Sequence, residues 1–333
     1  MSFEKIKIAI EAGKFAPVYF FAGEESFYID ELTSLIEKRA LTESQRDFNQ
    51  HVFYGKDSDP QEVVNAARRY PAFSDRQLVL VKEAQHFKNF DVFLPYLENP
   101  VASTVLVFNY KHKNLDKRTV FGKLIQKKAV VLDSKKLKDY QVPEWIIDFL
   151  KSHQRKINQK SALLLTEHLG NDLAKITNEL NKLLLNIDEK TEINADHIEK
   201  HIGISKDFNA FELSAAIGSK NYLKAIQIIK YFEKNPKAGP IVFVLSIIFN
   251  YFTKIFQLHH SKGMSDSDAM RAIGVNPYFF KDYKEGARNY SLAKTEYILS
   301  EIALTDAKAK GIGNTGNIGD FELLKELIFK MMH

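Results

Sequence analysis

The chain has 333 residues, 45% of them hydrophobic and 27% charged, with a formal net charge of +5; this is ordinary globular composition with room for two or three domain cores, and its basic balance permits nucleic acid as a partner without requiring it. The chain has no cysteine, which excludes disulfides, thiolate metal sites and a cysteine nucleophile and suits a reducing cytoplasm. No N-terminal signal segment is read, and the longest apolar run, Ile241 to Phe256, is interrupted by Asn250, Thr253 and Lys254, so a buried helix is expected there, too short and polar for a membrane span.

Pro17 to Glu31 reads PVYFFAGEESFYIDE. Its apolar start predicts a strand buried on both faces of a parallel sheet, and Ala22-Gly23 a turn. Phe27, Ile29, Leu32, Leu35 and Ile36 recur at helical spacing, which predicts a helix over Ser26 to Leu41. Phe48 to Phe53 reads as a strand. Asp59-Pro60 opens a helix with a cap and a first-turn proline, running to about Tyr70. Gln77 to Lys82 and Thr104 to Phe108 are further strands, with a helix over Phe87 to Leu97 between them, and Val130 to Leu132 is a last short strand. Strands alternating with helices predict a parallel α/β sheet with crossovers.

From Tyr140 onward the strand signal disappears. Pro143 to Leu150, Lys160 to Leu169 and Asp172 to Leu185 read as three helices, and Glu192 to His201 closes this group. Helices then follow over Ala210 to Ile217, Tyr222 to Lys234, Ile241 to Lys262, Ser265 to Ile273, Pro277 to Asn289, Leu292 to Lys310 and Phe321 to Met331. Boundaries are expected near 138 and 205. They divide the chain into an α/β domain (1–138), a small helical domain (139–205) and a larger helical domain (206–333).

The chemistry that belongs after the first strand is missing. A phosphate-binding loop needs G-x-x-x-x-G-K-[ST], whose backbone N–H groups, Lys and hydroxyl hold the phosphates and magnesium. Here Gly23 is followed by Glu24, Glu25, Ser26 and Phe27, which sets two carboxylates where an anion would bind. Gly13-Lys14 and Gly122-Lys123 are not followed by Ser or Thr, and Lys82-Glu83 offers a single carboxylate where an ATPase keeps an acidic pair. ATP hydrolysis is therefore not expected, nor any catalytic, cofactor or metal site. His197 and His201 are four apart, but in DHIEKH the Glu does not stand where H-E-x-x-H needs it; these histidines, like His259-His260, read as solvent-facing.

Three segments could meet a partner. Lys111 to Lys138 carries ten Lys or Arg, among them Lys117 and Arg118, against Asp116 and Asp133; it could contact phosphate or an acidic surface, although a solvated helix plus linker explains it as well. Gly311 to Gly319 (GIGNTGNIG) reads as a flexible loop rich in free N–H groups. Tyr70-Pro71-Ala72-Phe73 ends a helix before a strand, and its Phe is either core or an apolar tip rimmed by Arg68, Arg69, Asp75 and Arg76.

Taken in order, these segments resemble the delta subunits of the bacterial DNA polymerase III clamp loader. The likeness is carried by PVYFFAGEESFYIDE, Ala72 to Val81, Ser103 to Phe108 with Leu115 to Arg118, Leu169 to Leu173 with Asn178 to Leu180, and Leu304 to Lys308. It implies an AAA+-like fold: an α/β domain without a working ATP site, a three-helix lid-like domain and a helical collar. It also implies a cytoplasmic subunit, non-catalytic by itself, that binds and opens the beta sliding clamp. Its partners would be tau/gamma ATPase subunits and delta prime in a hetero-pentamer, with primer-template DNA and no membrane. The family's clamp contact, an apolar pair at a helix tip, falls by position on Ala72 and Phe73, with Tyr70 and Pro71 beside them; Ala72 replaces the commoner large aliphatic and leaves more of the anchor to Phe73. Candidate DNA or partner contacts are Lys308, Lys310, Lys117 and Arg118. Two other readings of the residues are a degenerate but active AAA+ ATPase and a helical adaptor unrelated to replication.

Overall fold

The computed structural model describes residues 1–205, 207–261 and 263–333. Lys206, the first residue of the expected third domain, and Lys262, the expected end of the helix starting at Ile241, lie outside the described residues. The chain divides into two compact units, Met1–Leu137 and Lys138–His333.

The first unit is built in the order α1 (Phe3–Glu11), β1 (Val18–Gly23), α2 (Ser26–Ala40), α3 (Glu43–Asn49), β2 (Gln50–Tyr54), α4 (Pro60–Ala67), β3 (Gln77–Lys82), α5 (Leu94–Glu98), β4 (Thr104–Lys111), α6 (Val120–Lys128) and β5 (Val130–Ser134). The strands form one sheet in the order β2-β3-β4-β1-β5, and every pairing is parallel. β1 and β3 are apolar along nearly their whole length because both sheet faces are covered. Alternate residues divide between two cores: Val18, Phe20, Ala22, Val79, Val81, Leu106 and Phe108 face α4 to α6, whereas Tyr19, Phe21, Leu78, Leu80, Val105 and Val107 face α1 and α2.

Several expected elements differ. The strand read over Phe48 to Phe53 begins at Gln50, because Glu43–Asn49 is a helix started by a capping box in which Thr42 N–H donates to Gln45 Oε1 (3.0 Å). Phe87 to Leu97 is not one helix: a short 3₁₀ turn at Ala84–His86 precedes it, residues 87–90 are irregular and a second 3₁₀ turn follows at Asp91–Phe93, and Phe87, Phe90 and Phe93 pack as a ring cluster with centroids 5.8 to 6.0 Å apart. α4 stops at Ala67 rather than Tyr70. The carbonyls that would carry it further are taken by side chains from β3 and β4: Gln77 Nε2 donates to Ala66 O (3.2 Å) and Arg69 O (2.5 Å), and Thr104 Oγ1 to Ala67 O (2.8 Å). Lys111 to Lys138 is a strand end, a loop, α6 and β5 rather than a helix and linker.

The second unit is helical: α7 (Val142–Ser152), α8 (Gln159–Leu169), α9 (Leu173–Asn186), α10 (Ala195–Ile202), α11 (Ala210–Gly218), α12 (Tyr222–Lys234), α13 (Ile241–His260), α14 (Asp266–Ile273), α15 (Phe280–Asn289), α16 (Leu292–Ala309) and α17 (Asp320–Met332). Caps explain the starts: Asp172, Asn221 and Ser291 accept from Lys175, Lys224 and Lys294 N–H at 3.0 to 3.2 Å. Pro277–Phe279 is a 3₁₀ turn, so the helix expected from Pro277 begins at Phe280.

α13 extends the apolar run at its end to His260. Together with the short turn before it, the stretch Pro236–His260 is long and apolar enough to cross a membrane by length and composition. Its Ile241, Val244, Leu245, Ile248, Tyr251, Phe252 and Ile255 nevertheless form the spine of the largest core in this unit, against α11, α12, α16 and α17. The glycines at 218 and 286 let α11 and α15 approach it, since a Cβ at either would collide with the Tyr251 ring or hydroxyl.

Candidate functional site

In a parallel sheet the segment after β1 and the segment before β3 lie at opposite ends, and here both are built in unusual ways. After β1, Gly23 has φ +137°, and a Cβ there would collide with the Ser134 carbonyl. The chain then meets β5: Glu25 N–H donates to Ser134 O (3.2 Å), and Ser134 Oγ donates to Glu25 O (2.7 Å). The Glu25 carboxylate, itself buried, accepts from Phe27 N–H (3.1 Å) and caps α2. The helix mouth that would hold a phosphate is thus filled by the protein's own anion.

Beside it lies a cavity of about 570 Å³ whose lining includes Glu24, Asp116, Lys117, Asp133, Lys135 and Lys136. Lys117 Nζ sits 3.5 Å from the Asp133 carboxylate. Arg118 grips Asp116 through Nε and Nη2, each at 3.0 Å, and these bonds hold the Asp116 carboxyl down at about 2. At the carboxyl end of β3, Lys82 faces Glu37 at 3.9 Å and Glu83 faces His86 at 3.7 Å.

The segment before β3 is the other unusual place. Tyr70, Pro71, Ala72 and Phe73 lie in the loop after α4, not on the helix tip. Tyr70 is 87% exposed and Phe73 is 100% exposed. Phe73 also has φ +54°, in the left-handed region, which costs a non-glycine residue roughly 1 to 3 kcal/mol. Folding gains nothing from a ring wholly in water, and the ring is open to a contact from outside the chain.

The loop is not loose. Asn49, at the end of α3 and 1% exposed, accepts from Ala72 N–H through Oδ1 (2.7 Å) and donates to Ala72 O through Nδ2 (2.9 Å). Gln77, equally buried, holds the Arg69 carbonyl at the other end. Arg76 lies over the Phe15 ring at 4.7 Å. Charge rims the tip, with Arg68, Arg69 and Asp75 exposed. The sequence gives Asn49 no signal: it stands in a polar stretch without periodicity, and only the pairing of α3 with the loop reveals its use.

The remaining candidates are placed as follows. In the second unit Lys308 faces Glu326 at 3.9 Å and Lys310 pairs with Asp306 at 2.6 Å. The Gly311 to Gly319 loop has fewer free N–H groups than its composition suggests: Gly311 and Ile312 N–H donate to Lys308 O and Ala307 O, and Asn314 and Ile318 exchange two hydrogen bonds at 2.9 and 3.0 Å. His197 is not simply in solvent; its Nδ1 and N–H close a capping box with Asn194. His259 Nε2 meets Tyr290 O at 2.8 Å, which likewise accounts for a half-buried imidazole. Among the described residues no group of three or more His, Cys, Asp or Glu is placed to hold a metal ion.

Comparison with known proteins gives a consistent picture. Residues 19–135 match the family model described as DNA polymerase III, delta subunit, and residues 207–330 match the model for the C-terminal domain of the same DNA polymerase III delta family. The DNA polymerase III subunit delta of Bacillus subtilis is 24% identical over 331 residues, covering 96% of this chain and 93% of that protein. The solved structure of the Bacillus subtilis DNA clamp loader delta protein aligns over 99% of both chains with a TM-score of 0.66 and 22% identity.

Proposed function

This chain belongs to the DNA polymerase III delta-subunit family, and from that premise we propose that it binds a ring-shaped sliding clamp and holds it open for loading onto primed DNA, without hydrolysing ATP itself. The observation that carries this reading is Phe73, fully exposed and in a left-handed conformation on a loop fixed at both ends. Phe73 is the anchor, with Tyr70, Pro71 and Ala72 beside it. Burying a Phe side chain in a partner pocket contributes roughly 1.5 to 3 kcal/mol, and a loop already ordered in the free chain loses little conformational freedom on docking. The chain favours the open ring only as far as it binds that form more tightly than the closed one.

Nucleotide chemistry is assigned to neighbouring tau/gamma ATPase subunits. Two observations support this: the Glu25 carboxylate caps α2 where phosphate would lie, and Lys82 stands where a magnesium-binding acid is needed. We further propose three parts, 1–138 for clamp binding, 139–205 as a lid and 206–333 as a collar that packs with those subunits and delta prime in a hetero-pentamer. Primer-template DNA then passes near Lys308 and Lys310.

The test is a titration of the purified chain against its sliding clamp. Phe73→Ala is expected to weaken binding by about tenfold or more, the equivalent of some 1.4 kcal/mol, with the circular dichroism spectrum unchanged. Equal affinity for both proteins rules out this anchor.

A further inference from the structure

We infer that Asn49 is the positioning residue of the clamp-binding loop, an inference that rests on Phe73 being the anchor. The side chain of Asn49 treats Ala72 as a neighbouring strand would: its Oδ1 accepts the Ala72 N–H at 2.7 Å and its Nδ2 donates to the Ala72 carbonyl at 2.9 Å. The second Nδ2 hydrogen goes to Gln45 O at 3.1 Å, which ties the amide to its own helix. Asn49 itself is buried, whereas Ala72 and Phe73 are exposed. A buried amide that satisfies both polar groups of one residue fixes the peptide planes on either side of it. The plane on the C-terminal side is the one that sets the direction of Phe73.

The fold returns nothing to Phe73 for its strained backbone, so something rigid must hold it there. The ring makes no contribution to a core, and with no neighbour packed against it the loop backbone fixes where its Cα–Cβ bond points. Asn49 is the buried group that reads that backbone directly. No other residue type does the same at this position: Asp lacks the donor for the Ala72 carbonyl, Ser is too short to span both groups, and Gln adds a methylene to a closed site. Asn49 touches no partner. It acts through Phe73 by keeping the anchor in its docking conformation before the clamp arrives, so that docking selects a populated state.

A double-mutant cycle against the purified sliding clamp tests this, with amide exchange at Ala72 as a readout of the loop. Asn49→Ala is expected to weaken clamp binding about tenfold and to abolish exchange protection at Ala72, and to change affinity by less than about twofold when Phe73 is already Ala. Asn49→Asp keeps the acceptor for Ala72 N–H but sets an oxygen against the Ala72 and Gln45 carbonyls; as a second variant it is expected to weaken binding at least as much as Asn49→Ala. If Phe73→Ala weakens binding and neither Asn49 variant does, or if the two effects simply add, the positioning role is wrong while the anchor stands. If Phe73→Ala itself leaves affinity unchanged, both assignments fall.

Discussion

Ser134 and Glu25 exchange two hydrogen bonds across the end of the sheet, Glu25 N–H to Ser134 O and Ser134 Oγ to Glu25 O, and so tie the turn after β1 to β5 where a related α/β sheet would hold a nucleotide. A crevice at the carboxyl ends of parallel strands, where the strand order changes direction, is the usual ligand site of such sheets. Here β1 lies between β4 and β5 at that position.

Magnesium-ATP is therefore expected not to stabilise the chain. A ligand that binds only the native state raises Tm by mass action; millimolar magnesium-ATP should leave Tm unmoved in a thermal scan, and a rise of several degrees would overturn the assignment. Glu25→Ala removes a helix cap and should cost about 1 kcal/mol in denaturant unfolding.

Phe73→Gly separates stability from binding. Glycine adopts φ +54° without the penalty that Phe bears, a gain partly offset by its greater freedom in the unfolded chain. The variant should be more stable than the parent by roughly 0.5 to 1 kcal/mol while binding the clamp more weakly. A fall in stability would show that the ring supports the fold after all.

Gln77→Ala should be costly although Gln77 contacts nothing outside the chain. Its Nε2 is the donor to the Arg69 carbonyl and also meets the Ala66 and Ala67 carbonyls and Thr104 Oγ1, and leaving a buried acceptor unpaired costs about 1 to 3 kcal/mol. Chemical denaturation measures this directly. Unchanged stability would mean that water replaces the amide.

The second unit should respond to pH through two adjacent residues of α8. Glu167 is pushed up to about 8 by burial, then by Glu212 and Asp282, at a cavity of about 300 Å³ lined also by Lys254, Tyr251 and Tyr283. Its proton is held more tightly in the folded state, so its contribution is complete below the ordinary value of 4.5 and is lost as pH rises toward 8. His168 is pushed down to about 4 by burial and then by Lys175. Its contribution is complete above 6.5 and is lost as pH falls toward 4. Glu167→Gln should remove the alkaline decline in stability measured from pH 5 to 9; a decline of unchanged slope would assign it to another group.

Lys308 and Lys310 are expected to contribute to DNA binding in the assembled complex. Removing one lysine from a phosphate should lower the slope of log affinity against log salt by about 1, equally for all sequences. Because Asp306 and Glu326 sit beside these lysines, an unchanged slope in the Lys308→Ala and Lys310→Ala variants would mean that the acids neutralise them.

Much of this fold is legible in the chain itself. β1, β3 and β4 declare themselves because strands covered on both faces must be apolar throughout, and the helices of the second unit do so through caps such as Asp172 and Ser291. α3 does not, because Glu43–Asn49 is short and polar and depends on a capping box rather than on a buried stripe. Ring packing decides the stretch from Phe87 to Phe93, whose aromatic spacing imitates a helix. The absence of phosphate-loop chemistry at Gly23 to Phe27 is likewise written in the residues, since no conformation supplies a missing Lys and hydroxyl. What the residues leave open at Tyr70 to Phe73 is whether the ring lies inside or outside, for an apolar side chain suits either. That choice is made by interactions distant in sequence: Asn49 and Gln77 bind the loop backbone from buried positions, hold Phe73 at a positive φ, and so direct its ring into solvent.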